Sequence, residues 1–180
     1  MEKIILISGK ARNGKDTVAS FLKESFEVKG KRVLICHYSD LLKFIAATYL
    51  GWDGKKDEKG RRLLQRIGTD VIRVQEPNLW VDFVIKMLRY FGDEYDYVLV
   101  PDTRFPNEVD RVKDAFGDKA FHARVVRPNF ENDLTQEQRN HPSETALDGF
   151  DTDFVFTNDG TLDDLRWAAH EFVVWFGGVK

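Results

Sequence analysis

The chain has 180 residues, of which 42% are hydrophobic and 32% charged, with a formal net charge of −3. That length predicts one domain, with a core large enough to fold without disulfides or a structural metal. The single cysteine, Cys36, excludes an intrachain disulfide and points to a reducing, cytoplasmic setting. No apolar run approaches the ~20 residues that cross a bilayer, and the apolar stretch after Met1-Glu2-Lys3 is too short for a secretory leader. Collagen-like, membrane-spanning, disulfide-scaffold and disordered classes are excluded. Residues 1–128 carry 24 Lys and Arg against 19 Asp and Glu, whereas residues 129–180 carry 3 against 11. An acidic chain with its cations gathered in one part is a poor general nucleic-acid binder, yet it can offer a positive cleft to a small polyanion.

Ile4-Ile5-Leu6-Ile7 is a short apolar run that predicts a strand buried on both faces of a parallel sheet. Residues 16–28 place Val18, Phe21, Leu22 and Phe26 on one helical face, and Val33-Leu34-Ile35 predicts a second strand. Asp40 is the expected cap of a helix running to about Leu50. A further stripe, Leu63, Leu64, Ile67, Val71 and Val74, predicts a helix over 61–74. Asn78 is the expected cap of a helix that buries Trp80, Phe83, Val84, Met87, Leu88 and Phe91. Strands are expected at Tyr97–Val100, Phe121–Val126 and Phe154–Phe156, with Pro106 in the first turn of the intervening helix. Thr161 and Asp164 form a capping-box pattern that opens a last helix, with Leu162, Leu165, Ala169, Phe172, Val173 and Phe176 inward. Strands alternating with amphipathic helices imply an α/β fold with about five parallel strands between two helical layers. Ligands in such folds sit at the carboxyl ends of the strands.

Gly9-Lys10-Ala11-Arg12-Asn13-Gly14-Lys15 follows the first strand and opens the first helix. This is G-x-x-x-x-G-K, the phosphate-cradling loop of the P-loop NTPase fold. Its glycines let successive N–H groups turn toward an anion, the helix N-terminus adds positive potential, and Lys15 brings a full charge to the β- and γ-phosphates. Asp16 and Thr17 follow, where Ser or Thr usually comes first. Thr17 can reach an α-phosphate. Asp16 either holds a magnesium-bound water or caps the helix. Asp102, at the end of the third strand, is a second candidate magnesium ligand or a solvated turn residue. Arg104 beside it suits clamping a second phosphate or pairing with Asp102 or Glu108.

Taken together, Ser8–Thr17, Arg61–Asp70 with Trp80 downstream, Asp96–Arg104, Val125–Pro128 and Thr157–Gly160 make the chain resemble the phage-type deoxynucleoside monophosphate kinases, P-loop kinases of nucleoside monophosphates. The resemblance implies ATP-dependent transfer of the γ-phosphoryl group to a deoxynucleoside monophosphate, with ATP and Mg2+ as cofactors. It implies an ATP site at Gly9, Arg12, Asn13, Gly14, Lys15, Asp16, Thr17, Arg127 and Asn158. The monophosphate site would use Lys10, Arg62, Gly68, Thr69, Trp80, Asp102, Arg104 and Glu108. Lys15, Asp102, Arg104, Arg127 and Arg139 are the catalytic candidates, and Asp16 and Asp102 the metal ligands. The implied layout is a core (1–38, 95–127, 150–180), monophosphate-binding helices (about 40–92) and a lid (about 128–147). Trp52–Gly60 is shorter than the family's usual insertion there.

Several of these residues keep a plainer reading. Gly68 costs a helix ~1 kcal/mol against alanine; it marks either a close backbone approach or a simple break. Trp80 is core or base-facing, Arg61, Arg62 and Arg66 can be a solvated helix face, and His141 is structural. The partners expected are small-molecule nucleotides, with no membrane or nucleic acid and a possible homodimer. Two rival readings are another small-molecule kinase, such as a dephospho-coenzyme A kinase, and a nucleotide-binding regulator without an acceptor.

Overall fold

The computed structural model describes residues 1–55, 57–132 and 134–177. Among them lies a parallel five-stranded sheet in the order β2-β3-β1-β4-β5. Its strands are β1 (Lys3–Ser8), β2 (Val33–Ile35), β3 (Tyr97–Thr103), β4 (Ala120–Val126) and β5 (Phe154–Thr157). The apolar run of β1 is central, so both its edges are paired and both its faces are covered. Alternation along β1 then divides the core. Ile5 and Ile7 pack with Val18, Leu22, Phe156, Leu165 and Phe172 on one face. Ile4 and Leu6 pack with Trp80, Val84, Leu88, Val109 and Val112 on the other.

Helix α1 (Lys15–Val28) and helix α9 (Leu162–Phe176) cover the first face. The second is covered by α2 (Ser39–Tyr49), α5 (Leu79–Phe91) and α6 (Pro106–Phe116). Between α2 and α5 the chain forms α3 (Glu58–Gln65), a π-helical stretch over Arg66–Ile72, and the short α4 (Arg73–Gln75). Helices α7 (Gln136–Asn140) and α8 (Pro142–Thr145) lie between β4 and β5. Among the described residues no helix is long and apolar enough to cross a membrane.

The Thr161–Asp164 capping box is present, with Asp164 N–H donating to Thr161 Oγ1 at 3.2 Å and Thr161 N–H donating to Asp164 at 2.8 Å. Several expectations fail. Among the described residues Asn78 makes no side-chain cap bond to α5, and Val71 and Val74 of the 61–74 stripe are exposed in and just after the π-helical stretch. Asp40 does not cap α2: its carboxylate accepts from the His37 N–H at 2.9 Å, while Asp102 supplies the cap across the sheet edge. On α5, Trp80, Val84 and Leu88 are buried as expected, but the flank that joins them is Val81 and Ile85, leaving Phe83 and Phe91 exposed. Both flanks of that stripe are apolar, and the helix rotation that seats it on the sheet selects one of them. Leu162, at the first position of α9, is exposed.

Candidate active site

The loop after β1 has the backbone that its glycines allow. Gly9 has φ +142° and Gly14 φ +99°, and Arg12 also takes a left-handed conformation at φ +63°. A side chain on Gly9 would strike the Val125 carbonyl oxygen, and one on Gly14 would meet Asn158 Nδ2 at 2.8 Å. A non-glycine residue held at positive φ is costly and persists where its surroundings over-determine it. Two side chains do that here. Asn13 Nδ2 donates to the Val125 carbonyl at 3.2 Å, and Asn158 Nδ2 donates to the Asn13 carbonyl at 3.0 Å. Asn13 and Asn158, expected on ATP, are thus built into the wall behind the loop.

Lys15 is the buried cation of the site. Its ammonium donates to the carbonyls of Gly9 at 2.7 Å and Lys10 at 3.0 Å. Burial, reinforced by the Arg104 charge, lowers its pKa to about 8, against the pull of Glu144, Asp16 and Asp102. A charge this poorly solvated gains strongly from an anion placed beside it.

The loop opens into a cleft of about 400 Å3, within the range of small-molecule sites. Ala11, Arg12, Lys15 and Asp16 form one end of it. The other walls include Ser39, Leu42, Gly68, Thr69, Arg73 and Trp80, with Asp102, Arg104, Phe105 and Glu108 from the end of β3 and the start of α6. The β1–β3 register explains the meeting: an irregularity after Leu6 brings Ser8 opposite Thr103, so the phosphate loop and the Asp102–Arg104 turn leave the sheet side by side.

Asp102 accepts from the Tyr38 N–H at 2.9 Å and the Ser39 N–H at 3.0 Å, which anchors α2 to the cleft. Glu108 is almost fully buried. It accepts from Arg73 at 2.7 Å and from the Arg104 and Phe105 N–H groups at 2.7 and 3.1 Å. Burial pushes its carboxyl up, and the Arg73 guanidinium opposes that. Arg73 also lies 3.9 Å over the Phe105 ring, and among the described residues its Nε–H has no hydrogen-bond partner. Trp80 is core, with its indole N–H on the Gly68 carbonyl at 3.1 Å, yet it also lines the cleft. Gly68 lies in the π-helical stretch, where an added Cβ would stand 2.5 Å from Leu42 Cδ2. Its close approach is therefore to α2.

The other expected residues divide. Arg62 is turned to solvent and pairs with Glu58 at 2.9 Å, whereas its neighbour Arg61 lines the cleft. The helical face explains the correction, because adjacent residues point about 100° apart. Arg139 donates to the Asn132 and Leu134 carbonyls at 2.8 and 3.1 Å, and Arg127 lies 4.0 Å over the Phe130 ring; neither lines the cleft. Lys10 pairs with Asp148 at 3.1 Å. Thr17 is half-buried in the first turn of α1, outside the lining. His141 Nε2 lies 3.5 Å from Asp70 Oδ1 and its Nδ1 accepts from the Ser143 N–H at 3.2 Å, a structural arrangement.

Arg73 and Glu144 are cleft residues that the sequence reading did not single out. Arg73 stands four residues after Thr69, on the same helical face, which is a usable signal. Glu144 is 133 residues from its phosphate-loop partner, Ala11, and nothing local marks it.

Among the described residues no three His, Cys, Asp or Glu side chains are grouped to hold a metal. Magnesium carried on a nucleotide needs only one or two protein carboxylates beside the phosphates and waters. Asp16 and Asp102 line the same cleft as Lys15, and each Asp102 oxygen accepts one N–H and keeps a lone pair free, so the donor set fits.

The chain is similar to known proteins both in sequence and in fold. The chain is 40% identical over 107 residues to the deoxynucleotide monophosphate kinase of Enterobacteria phage T4, a match covering 58% of this chain and 41% of that relative. The matched stretch thus spans about two fifths of the relative's length. The fold is similar to that of a sugar kinase from Janibacter, with a TM-score of 0.57 at 11% identity, covering 99% and 96% of the two chains. It is also similar to the APS kinase of Mycobacterium tuberculosis in complex with AMPPNP and APS, with a TM-score of 0.54 at 14% identity, covering 96% and 97%. The profile of one family, deoxynucleotide monophosphate kinase, matches residues 39–168, the span that carries the Arg61–Thr69 wall, the Asp102–Glu108 turn and Glu144. The chain belongs to the deoxynucleotide monophosphate kinase family.

Proposed function

We propose that this chain transfers the γ-phosphoryl group of ATP to a deoxynucleoside monophosphate, yielding ADP and the deoxynucleoside diphosphate. The observation that carries the reading is that the phosphate loop and a second group of cations, Arg61, Arg73 and Arg104, line one continuous cleft. A protein that only bound ATP would have no use for the second group.

An α-phosphate oxygen of the acceptor, already anionic, attacks the γ-phosphorus. The new P–O bond forms as the bond to the β,γ-bridging oxygen breaks, and the electron pair leaves on ADP. No general base is required, so catalysis reduces to in-line positioning and charge neutralisation. Lys15 lies at the donor end and neutralises the phosphates, aided by the loop N–H groups and Arg12. Arg104 stands between the two halves and is the residue best sited to follow the phosphoryl group. Arg61 and Arg73 receive the acceptor phosphate, with Gly68, Thr69 and the edge of Trp80 as the adjoining wall. Leu42 and Phe105 provide apolar surface for a base. Asp16 and Asp102 would hold Mg2+, which supplies further neutralisation of the donor phosphates. In this reading residues 40–92 are the monophosphate-binding part and 128–147 the lid, and the enzyme works on small nucleotides in the cytoplasm.

The test is ADP formation with ATP and magnesium across a panel of deoxy- and ribonucleoside monophosphates, with dephospho-coenzyme A as a contrasting acceptor. Acceptor-dependent turnover with deoxynucleotides, absent in Lys15→Ala, is expected. ATP binding without turnover on any monophosphate would refute the reading.

A further inference from the structure

Glu144, on the single-turn helix α8, reaches the mouth of the phosphate loop with a side chain only 7% exposed. One oxygen, Oε2, accepts from the Ala11 N–H at 2.7 Å. The other, Oε1, pairs with the Arg104 guanidinium, which also donates to the Ser143 carbonyl at 2.8 Å. The same carboxylate supports the charge on Lys15. A single anion thus collects a phosphate-loop N–H, one arginine N–H and the field of the buried lysine. Those are the partners a phosphoryl oxygen would demand at this spot. The attachment continues along the segment, where Asp148 pairs with Lys10 at 3.1 Å and Arg124 at 2.9 Å.

We propose that Glu144 is a built-in stand-in for a phosphate oxygen, which competes with the donor's terminal phosphates and releases Arg104 and the Ala11 N–H when it is displaced. The inference rests on reading Gly9–Lys15 as the triphosphate cradle. Its physical basis is exclusion: one N–H and one guanidinium edge cannot serve a carboxylate and a phosphate together, and two anions in a poorly solvated cleft repel. The contact satisfies the Ala11 N–H and keeps Arg104 in the cleft. Donor binding then exchanges one anion for another, and the arginine passes to the phosphoryl group. The residue is a positioning residue, because it acts through Arg104 and the loop.

The experiment measures binding of a non-hydrolysable ATP analogue, and separately of pyrophosphate, by calorimetry without acceptor, for wild type, Glu144→Gln and Glu144→Asp. The near-isosteric Glu144→Gln removes the charge and turns one of the two acceptor oxygens into a donor, which weakens the hold on Ala11 or Arg104 as well. It should tighten both ligands by roughly 5–20-fold. Glu144→Asp, charged but one methylene short, should fall between. Unchanged or weaker binding in Glu144→Gln would overturn the proposal. A second readout uses the wild type alone: hydrogen exchange over residues 142–148 should quicken when the analogue binds. Slower exchange there, as for a segment that simply closes over nucleotide, would also overturn it. If the wild type binds neither ligand, the kinase reading fails instead.

Discussion

Replacing Lys15 with methionine should stabilise the nucleotide-free protein while abolishing nucleotide binding. The folded protein holds this ammonium at a pKa of about 8 against an ordinary 10.5, chiefly through burial. At 1.36 kcal/mol per unit, the charged lysine destabilises the fold by about 3 kcal/mol below pH 8. Methionine has a similar reach and no charge. It leaves the Gly9 and Lys10 carbonyls without their 2.7 and 3.0 Å partners, a loss of ~1–2 kcal/mol. The variant should therefore exceed wild type by about 1–2 kcal/mol at pH 7. The sign of the pH dependence follows from proton binding: between pH 8 and 10.5 the unfolded chain holds more protons at this site than the folded one, so wild-type stability rises with pH. Methionine does not titrate, so its advantage shrinks across that window and reverses near the top of it. Urea unfolding of both proteins at pH 7, 8, 9 and 10 measures the gap. A gap that stays constant with pH would refute the argument, because it would mean that the ammonium is as well solvated folded as unfolded.

Two further substitutions probe the cleft wall. Gly68→Ala places a methyl group 2.5 Å from Leu42 Cδ2 and should lower stability by ~1–3 kcal/mol, read as a shift in the denaturant midpoint. Adding Leu42→Ala should recover part of it, and strict additivity of the two would show that the contact is not the cause. Arg61→Ala should raise the KM for the monophosphate at least 10-fold with little change for ATP, whereas the adjacent Arg62→Ala leaves both near wild type. The opposite order would place the acceptor on the other face of α3.

The strands were legible because a parallel sheet buries both faces of each strand, so Ile4–Ile7 and Tyr97–Val100 read as uninterrupted apolar runs. The phosphate loop was legible for a related reason: its conformation depends on local backbone freedom, at Gly9 and Gly14, and its chemistry on the adjacent Lys15. Helix rotation was less accessible. Where α5 carried apolar residues on both flanks, periodicity alone left Phe83 and Ile85 equivalent, and packing on the sheet separated them.

Local pattern along the chain is enough to read the succession of the five strands and the longer helices, the glycine-rich loop after β1 and the family, since each depends on residues close together or on their spacing. Only the packing of distant segments shows which arginines share the cleft, that Asp102 caps α2, and that Glu144 lies on the loop. Those outcomes depend on side-chain direction and on contacts across 60 to 140 residues, and a charged residue's local sequence carries no record of the distant partner that will neutralise it.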